Sequence, residues 1–174
     1  IVTDPAIDFA ALYREFDTAI VGRKTYEVMT AAQEGSGAIP GMDVIVFSKT
    51  LAPAASPGVR IVNSDPVKEV AALKRQRGRD LWLFGGGQLF RSLLDAALVD
   101  TVELAVMPVL IGQGIPLLPP GSRARLTLAH QRTLPKSGIV FLSYAVEGTT
   151  ASVPPPRFLK TASGRTAKQA NARK

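Results

Sequence analysis

The run Leu81-Trp82-Leu83-Phe84-Gly85-Gly86-Gly87-Gln88-Leu89-Phe90 constrains this chain more than any other stretch. Four bulky apolar residues in a row read as a strand buried on both faces, and three consecutive glycines end it. Beyond them Leu89, Leu93 and Ala96 share one face of a helix, so the unit is strand, glycine turn, helix. Such a turn leaves unpaired backbone N–H groups and the positive end of a helix dipole facing one small volume, which suits a phosphate. Glycines also simply allow a tight turn, and that reading stands beside the first, although each glycine costs backbone entropy and three exceed what a turn needs. The spacing is neither the G-x-G-x-x-G of dinucleotide-binding folds nor a Walker loop, because no Gly-Lys-Ser/Thr follows.

The same pattern recurs nearer the N-terminus. Asp8 precedes Phe9, Leu12, Tyr13 and Phe16, a capped amphipathic helix by its spacing. Ala19-Ile20-Val21 is then a buried strand ended by Gly22, and Arg23-Lys24-Thr25-Tyr26-Glu27-Val28-Met29 starts a second helix. Arg23 and Lys24 at a helix N-terminus oppose the dipole, so they read either as a solvated helix start or as ligands of an anion. Val44-Ile45-Val46-Phe47 is the next strand and runs into the polar, cationic Ser48-Lys49-Thr50. Val59-Arg60-Ile61-Val62 is a short strand, and Asp65-Pro66 starts a helix predicted to run to Arg77, with Gly78 beyond it.

Alternating short strands and helices argue a largely parallel sheet covered on both faces, and in such sheets ligands gather at the carboxyl ends of strands. Three segments are therefore expected to converge on one anionic ligand: Gly22-Arg23, Ser48-Lys49 and Gly85 to Gly87. Beyond Asp100 the texture changes. Val102 to Val106 is a strand closed by Pro108, and residues 109–118 are apolar with a G-x-G that reads as a bend or as a ligand contact. Leu126 to Leu134 and Ile139 to Val146 form an antiparallel pair, with His130 an ordinary strand residue; Trp82 reads as core.

Composition bounds the function classes. At 174 residues the chain is one domain with a sizeable core. It has no cysteine and one histidine, which leaves few soft metal ligands and predicts no metal site. No apolar run approaches the roughly 20 residues that cross a bilayer, and a cytoplasmic setting without a membrane partner is expected. The net charge of +7 sits mostly in a tail, where Arg157, Lys160, Arg165, Lys168, Arg173 and Lys174 face no acid after Thr149. The chain thus divides into a domain over residues 1–148 and a basic tail over 149–174 that is expected to be disordered; with few aromatics, the tail is a poor nucleic-acid arm.

Taken together, Gly22-Arg23-Lys24-Thr25-Tyr26-Glu27, Phe47-Ser48-Lys49-Thr50-Leu51, Gly85-Gly86-Gly87 and Leu98-Val99-Asp100 with residues 108–117 resemble the dihydrofolate reductase superfamily. Within it they are most similar to the RibD C-terminal domain group, related to the reductase of riboflavin biosynthesis. The resemblance implies a three-layer α/β/α sandwich with a mixed, mostly parallel sheet and an antiparallel C-terminal hairpin. It implies NADPH as cofactor and hydride transfer to a small pteridine- or aminopyrimidine-like heterocycle, of the 5-amino-6-(5-phosphoribosylamino)uracil reductase type. An NADP(H)-binding module without catalysis, and polyanion binding through the tail, are the alternatives.

Carried over residue by residue, Gly85, Gly86 and Gly87, followed by Gln88 and Leu89, pack against the cofactor pyrophosphate, with a cis peptide between Gly85 and Gly86. Gly22, Arg23, Lys24 and Thr25 meet the pyrophosphate and adenosine phosphate, and Ser48, Lys49 and Thr50 the 2′-phosphate. The residues agree on cofactor type, since these strand ends offer cations where NAD sites offer a ribose-binding acid. Asp8 is the candidate for assisting substrate protonation, with Asp4 behind it, and the N-cap reading of Asp8 is the preferred one. Family members begin with a central strand ahead of this helix. This sequence starts at Ile1 after it, so a gap in the sheet with unpaired neighbours is expected, and a homodimer through the later strands is a further family expectation.

Overall fold

A computed structural model describes residues 4–33, 35–53, 56–121, 123–149, 153 and 155. In chain order the elements are α1 (Phe9–Arg14), β1 (Phe16–Gly22), α2 (Arg23–Ala32), β2 (Asp43–Phe47), β3 (Val59–Val62), α3 (Pro66–Leu73), β4 (Asp80–Gly85), α4 (Gly87–Asp95), β5 (Thr101–Val106), β6 (Leu126–Thr133) and β7 (Val140–Val146). The expected basic tail lies almost wholly outside the described residues. No helix among the described residues is long and apolar enough to cross a membrane.

The strands form two sheets. The first is parallel in the order β3-β2-β1-β4, and the second is antiparallel in the order β5-β7-β6. The expected single mixed sheet is therefore divided between β4 and β5. β4 pairs only with β1, and β5 only with β7. Their unpaired edges line one cavity of about 800 Å³.

Alternation along β1 builds the layers, since successive side chains point to opposite faces. Ala19 and Val21 face one way and pack with Tyr26 and Met29 of α2, Val44 and Val46 of β2, and Tyr13 of α1. Ile20 faces the other way onto Val70 of α3 and Leu89 and Leu93 of α4. The three-layer α/β/α arrangement follows. A small separate cluster of Leu134 and Ile139 holds Ala6, Ile7, Ala11, Leu12 and Phe141, which ties the N-terminal segment to the β6–β7 turn.

Three local expectations are corrected. Phe16 opens β1 instead of closing the first helix, because Glu15 caps α1 through bonds to Leu12 and Tyr13 carbonyls and Phe16 stacks on Trp82 at a centroid distance of 5.1 Å. α3 ends at Leu73 rather than Arg77: Lys74 turns away to the Leu98 carbonyl (3.1 Å) and the Asp100 carboxylate. β4 is not buried on both faces but half-buried with Phe84 40% exposed, because its free edge borders the cavity. The G-x-G of residues 112–114 lies in irregular chain where Gly112 takes φ +72° and neighbouring Leu110, Ile111 and Ile115 are exposed, which is the bend reading.

Candidate functional site at the carboxyl ends of the parallel strands

β1 and β4 are neighbours with Val21 opposite Gly85, so the two strands stop side by side and both helices that follow start together. Gly22 is the N-cap of α2 and Gly86 the N-cap of α4. Neither position offers a side-chain cap, and neither helix carries an acid in its first turn. The first-turn N–H groups of two helices are thus left for a ligand, and both dipoles favour a negative one.

The glycines permit that approach. Gly86 has φ +111°, and a Cβ placed on it would lie 3.2 Å from Gly22 Cα and 3.3 Å from Gly22 N. A Cβ on Gly85 would sit 2.9 Å from Thr25 Cγ2, and one on Gly87 would sit 3.3 Å from the Leu117 carbonyl oxygen. Contact across the cradle therefore accounts for all three glycines. The expected cis peptide between Gly85 and Gly86 is corrected: no peptide among the described residues is cis, and the positive φ of Gly86 redirects the chain instead.

β2 lies on the other side of β1 with Phe47 opposite Gly22, which brings Ser48, Lys49 and Thr50 to the same end of the sheet. Ser48 is buried, and its Oγ accepts from the N–H groups of Thr50 (3.2 Å) and Leu51 (3.1 Å), shaping a turn that leaves Lys49 and Thr50 exposed. Arg23 and Lys24 are exposed on the first turn of α2, with Arg23 Nη1 2.7 Å from Glu27 Oε1. Gln88 is exposed on the first turn of α4, whereas the Leu89 side chain belongs to the core beneath it.

Asp8 stands apart from this group. Its Oδ1 accepts from the Ala11 N–H at 2.9 Å as the N-cap of α1, and it is not among the residues lining the cavity. Asp4 is tied to the β6–β7 turn, accepting from the N–H of Ser137 at 3.1 Å and of Ala6 at 2.8 Å; hydrogen bonding from Ser137 holds its carboxyl below the ordinary range. Asp8→Ala is expected to lower stability by about 1 kcal/mol, the usual cost of a lost cap, while Asp8→Asn keeps the cap. Thermal melts of both variants check this. Turnover lost in Asp8→Asn at unchanged melting temperature would instead give Asp8 a role with substrate.

Sequence reasoning missed the cavity wall. Trp82 packs against the core as expected, and it also meets Phe16 face on and Phe84 edge on at 4.7 Å, with all three lining the space between β4 and β5. Glu15 and Glu103 line it as well. The sequence signal for Glu103 was a lone acid in the apolar run Val102 to Val106.

Known proteins resemble this chain. Residues 6–140 match the RibD C-terminal domain. The uncharacterized protein YyaP of Bacillus subtilis (strain 168) is 28% identical over 158 residues, covering 84% of this chain and 83% of YyaP. YwjB of the same organism, also uncharacterized, is 29% identical over 111 residues, 63% of this chain and 62% of YwjB. Among solved structures, a putative riboflavin biosynthesis protein from Shewanella sp. PV-4 superposes with a TM-score of 0.67 at 21% identity, covering 83% of this chain and 81% of that one. A pyrimidine reductase-like protein from Corynebacterium diphtheriae NCTC gives 0.55 at 18% identity, with 75% of each chain covered. These two likenesses establish a shared fold. Because the family match runs from ahead of α1 into β7 and takes in every strand end of the site, the chain belongs to the RibD C-terminal domain family.

Proposed function

We propose that this protein binds NADPH and reduces a small pteridine- or aminopyrimidine-like heterocycle. The observation that carries the proposal is the cradle at Gly22 and Gly86, where two helix N-termini without side-chain caps or first-turn acids meet. The family membership and the reductase named among the structural relatives support the same reading.

The residues present fit the cofactor. Backbone N–H groups at the starts of α2 and α4 take the pyrophosphate, and Gly86 lets the two helix starts approach, since a Cβ there would lie 3.2 Å from Gly22 Cα. Arg23, Lys24 and Thr25 lie beside the adenosine phosphate, and the exposed Lys49 and Thr50, set by the Ser48 turn, take the 2′-phosphate. When bound, the cofactor supplies a hydride to the heterocycle; the chain supplies position and electrostatics.

Titrating NADPH and NADH while following Trp82 fluorescence tests the cofactor. NADPH is expected to bind at least about tenfold tighter, a difference near 1.4 kcal/mol. Lys49→Ala is expected to remove most of that preference while changing NADH affinity less than about twofold, because the 2′-phosphate is the only chemical difference between the two. Equal affinities in the wild-type protein would defeat the choice of NADPH, and no binding of either would defeat the cofactor assignment. Turnover of reduced cofactor with aminopyrimidine and pteridine acceptors then separates a reductase from a binding module.

A further inference from the structure

We propose that Arg91 is a positioning residue of the glycine cradle: its guanidinium straps residues 116–121 along α4 and so fixes the helix start that receives the anion. The inference deepens the proposed function and rests on it for the identity of the ligand. Arg91 acts through the backbone of the strap, four residues along α4 from Gly87.

Pro116-Leu117-Leu118-Pro119-Pro120-Gly121 has no helix or strand to hold it, since the described residues between Val106 and Leu126 carry neither. Three of the six are prolines without an N–H, so the strap has few donors with which to tie itself down and offers mainly carbonyl oxygens. Two of those carbonyls meet α4. A Cβ on Gly87 would sit 3.3 Å from the Leu117 oxygen and 3.5 Å from Pro119 Cδ, and Arg91 Nη2 donates to the Pro119 oxygen at 3.3 Å. The spacing matches, because Gly87 to Arg91 rises about 6 Å along the helix and an extended chain covers that distance in about two residues. The strap therefore runs along one face of α4, and its Leu117 contact falls on the residue next to Gly86.

The Arg91 side chain is only 13% exposed, and its terminal nitrogens serve different elements: Nη1 lies 3.1 Å from Asp95 Oδ1 on α4 itself, and Nη2 reaches the strap. A planar guanidinium held on both sides is a rigid bridge, whereas a lysine ammonium is a point charge on a flexible stem. Gly121 closes over the same group. A Cβ there would lie 2.7 Å from Arg91 Nε, 2.9 Å from Cδ and 3.0 Å from Cζ, so its backbone lies against the guanidinium. Gly121 is not among the glycines with positive φ, and this close approach, rather than backbone conformation, is what excludes a side chain. A site made of backbone N–H groups binds best when those groups are held before the ligand arrives, since ordering them on binding subtracts from affinity. Without the strap, the first turn of α4, which has no side-chain cap, is free to fray.

The test compares wild type with Arg91→Met, Arg91→Lys and Gly121→Ala, titrating NADPH, NADH and inorganic pyrophosphate by calorimetry and following amide hydrogen exchange by NMR. The Phe90 amide, which donates to the Gly86 carbonyl at 2.8 Å, reports the first turn of α4; the Leu134 amide, which donates to the Ile139 carbonyl at 2.8 Å, reports the fold elsewhere. Phe90 exchange is expected to accelerate by at least about tenfold in Arg91→Met and Gly121→Ala, while Leu134 exchange stays within about twofold of wild type. Both variants should bind all three ligands at least about fivefold more weakly, by a common factor, because pyrophosphate is what the ligands share. Gly121→Ala keeps every charge, and Arg91→Lys keeps the charge without the two-sided bridge, so weakened binding in these two separates positioning from simple attraction of an anion. Loss of affinity in Arg91→Met alone, unchanged Phe90 exchange, or Leu134 exchange rising in step with Phe90 would overturn the proposal. Normal NADPH binding in the variants refutes the strap alone. Wild type that binds pyrophosphate but neither nucleotide, with pyrophosphate weakened in Gly121→Ala, refutes the cofactor alone, and wild type that binds none of the three overturns both.

Discussion

Gly86→Ala is expected to cost about 3 kcal/mol of stability and to abolish nucleotide binding. Two independent terms add. The backbone at Gly86 has φ +111° and ψ 98°, outside the regions open to an L side chain, which costs about 1–3 kcal/mol. The added methyl would also meet Gly22 Cα at 3.2 Å and Gly22 N at 3.3 Å, and both are backbone atoms on a central strand that cannot rotate aside. For a chain of this size the melting temperature should fall by about 6–12 °C. Gly41→Ala separates the terms, because Gly41 has φ +76° with nothing within 4 Å of the added carbon, so only backbone strain remains, about 1 kcal/mol. Gly85→Ala should cost less than Gly86→Ala despite its 2.9 Å contact, since Thr25 is a side chain that can move. A Gly86→Ala protein melting within about 2 °C of wild type, or binding NADPH normally, would refute the cradle.

The parts of this fold that were legible in the sequence are those decided by neighbours along the chain. Short apolar runs and helical apolar spacing located each strand and helix, and the cationic residues after β1 and β2 marked the strand ends that the parallel pairing brings together. What was misread depends on partners far away in sequence. An apolar run such as Leu81 to Phe84 looks the same whether its second edge is paired or faces a cavity, so the half-buried state of β4 was invisible. Helical spacing continued past Leu73, but Lys74 is drawn off by Leu98 and Asp100, 24 and 26 residues later. Glu103 shows the same limit on β5. Its surroundings are assembled from β7 and α1, and only the folded chain places Ser143 and Glu15 beside it.

The division of the strands into two sheets makes the parallel sheet depend heavily on its own two helical layers, and Ile20→Ala probes the layer beneath the glycine cradle. Ile20 is 2% exposed at the centre of β1, level with Ile45 on one side and Leu83 on the other, and it packs on Val70, Leu89 and Leu93. Truncation to alanine should cost about 2–5 kcal/mol, the transfer of the lost methyl groups plus a cavity that the close-packed helices close only in part. Ile20→Val should cost only about 0.5–1.5 kcal/mol. Urea unfolding of the three proteins checks both values, with an unchanged denaturant slope expected because the surface exposed on unfolding is nearly the same. The consequence reaches the site because Leu89 follows Gly86 by three residues on the first turn of α4, so a hollow under Leu89 loosens the helix start that the cradle needs. NADPH affinity should therefore fall in Ile20→Ala even at temperatures where the protein is fully folded. An Ile20→Ala protein that loses stability but binds NADPH as wild type does would mean that the cradle is held by the Gly22–Gly86 contact alone, independent of the core below it.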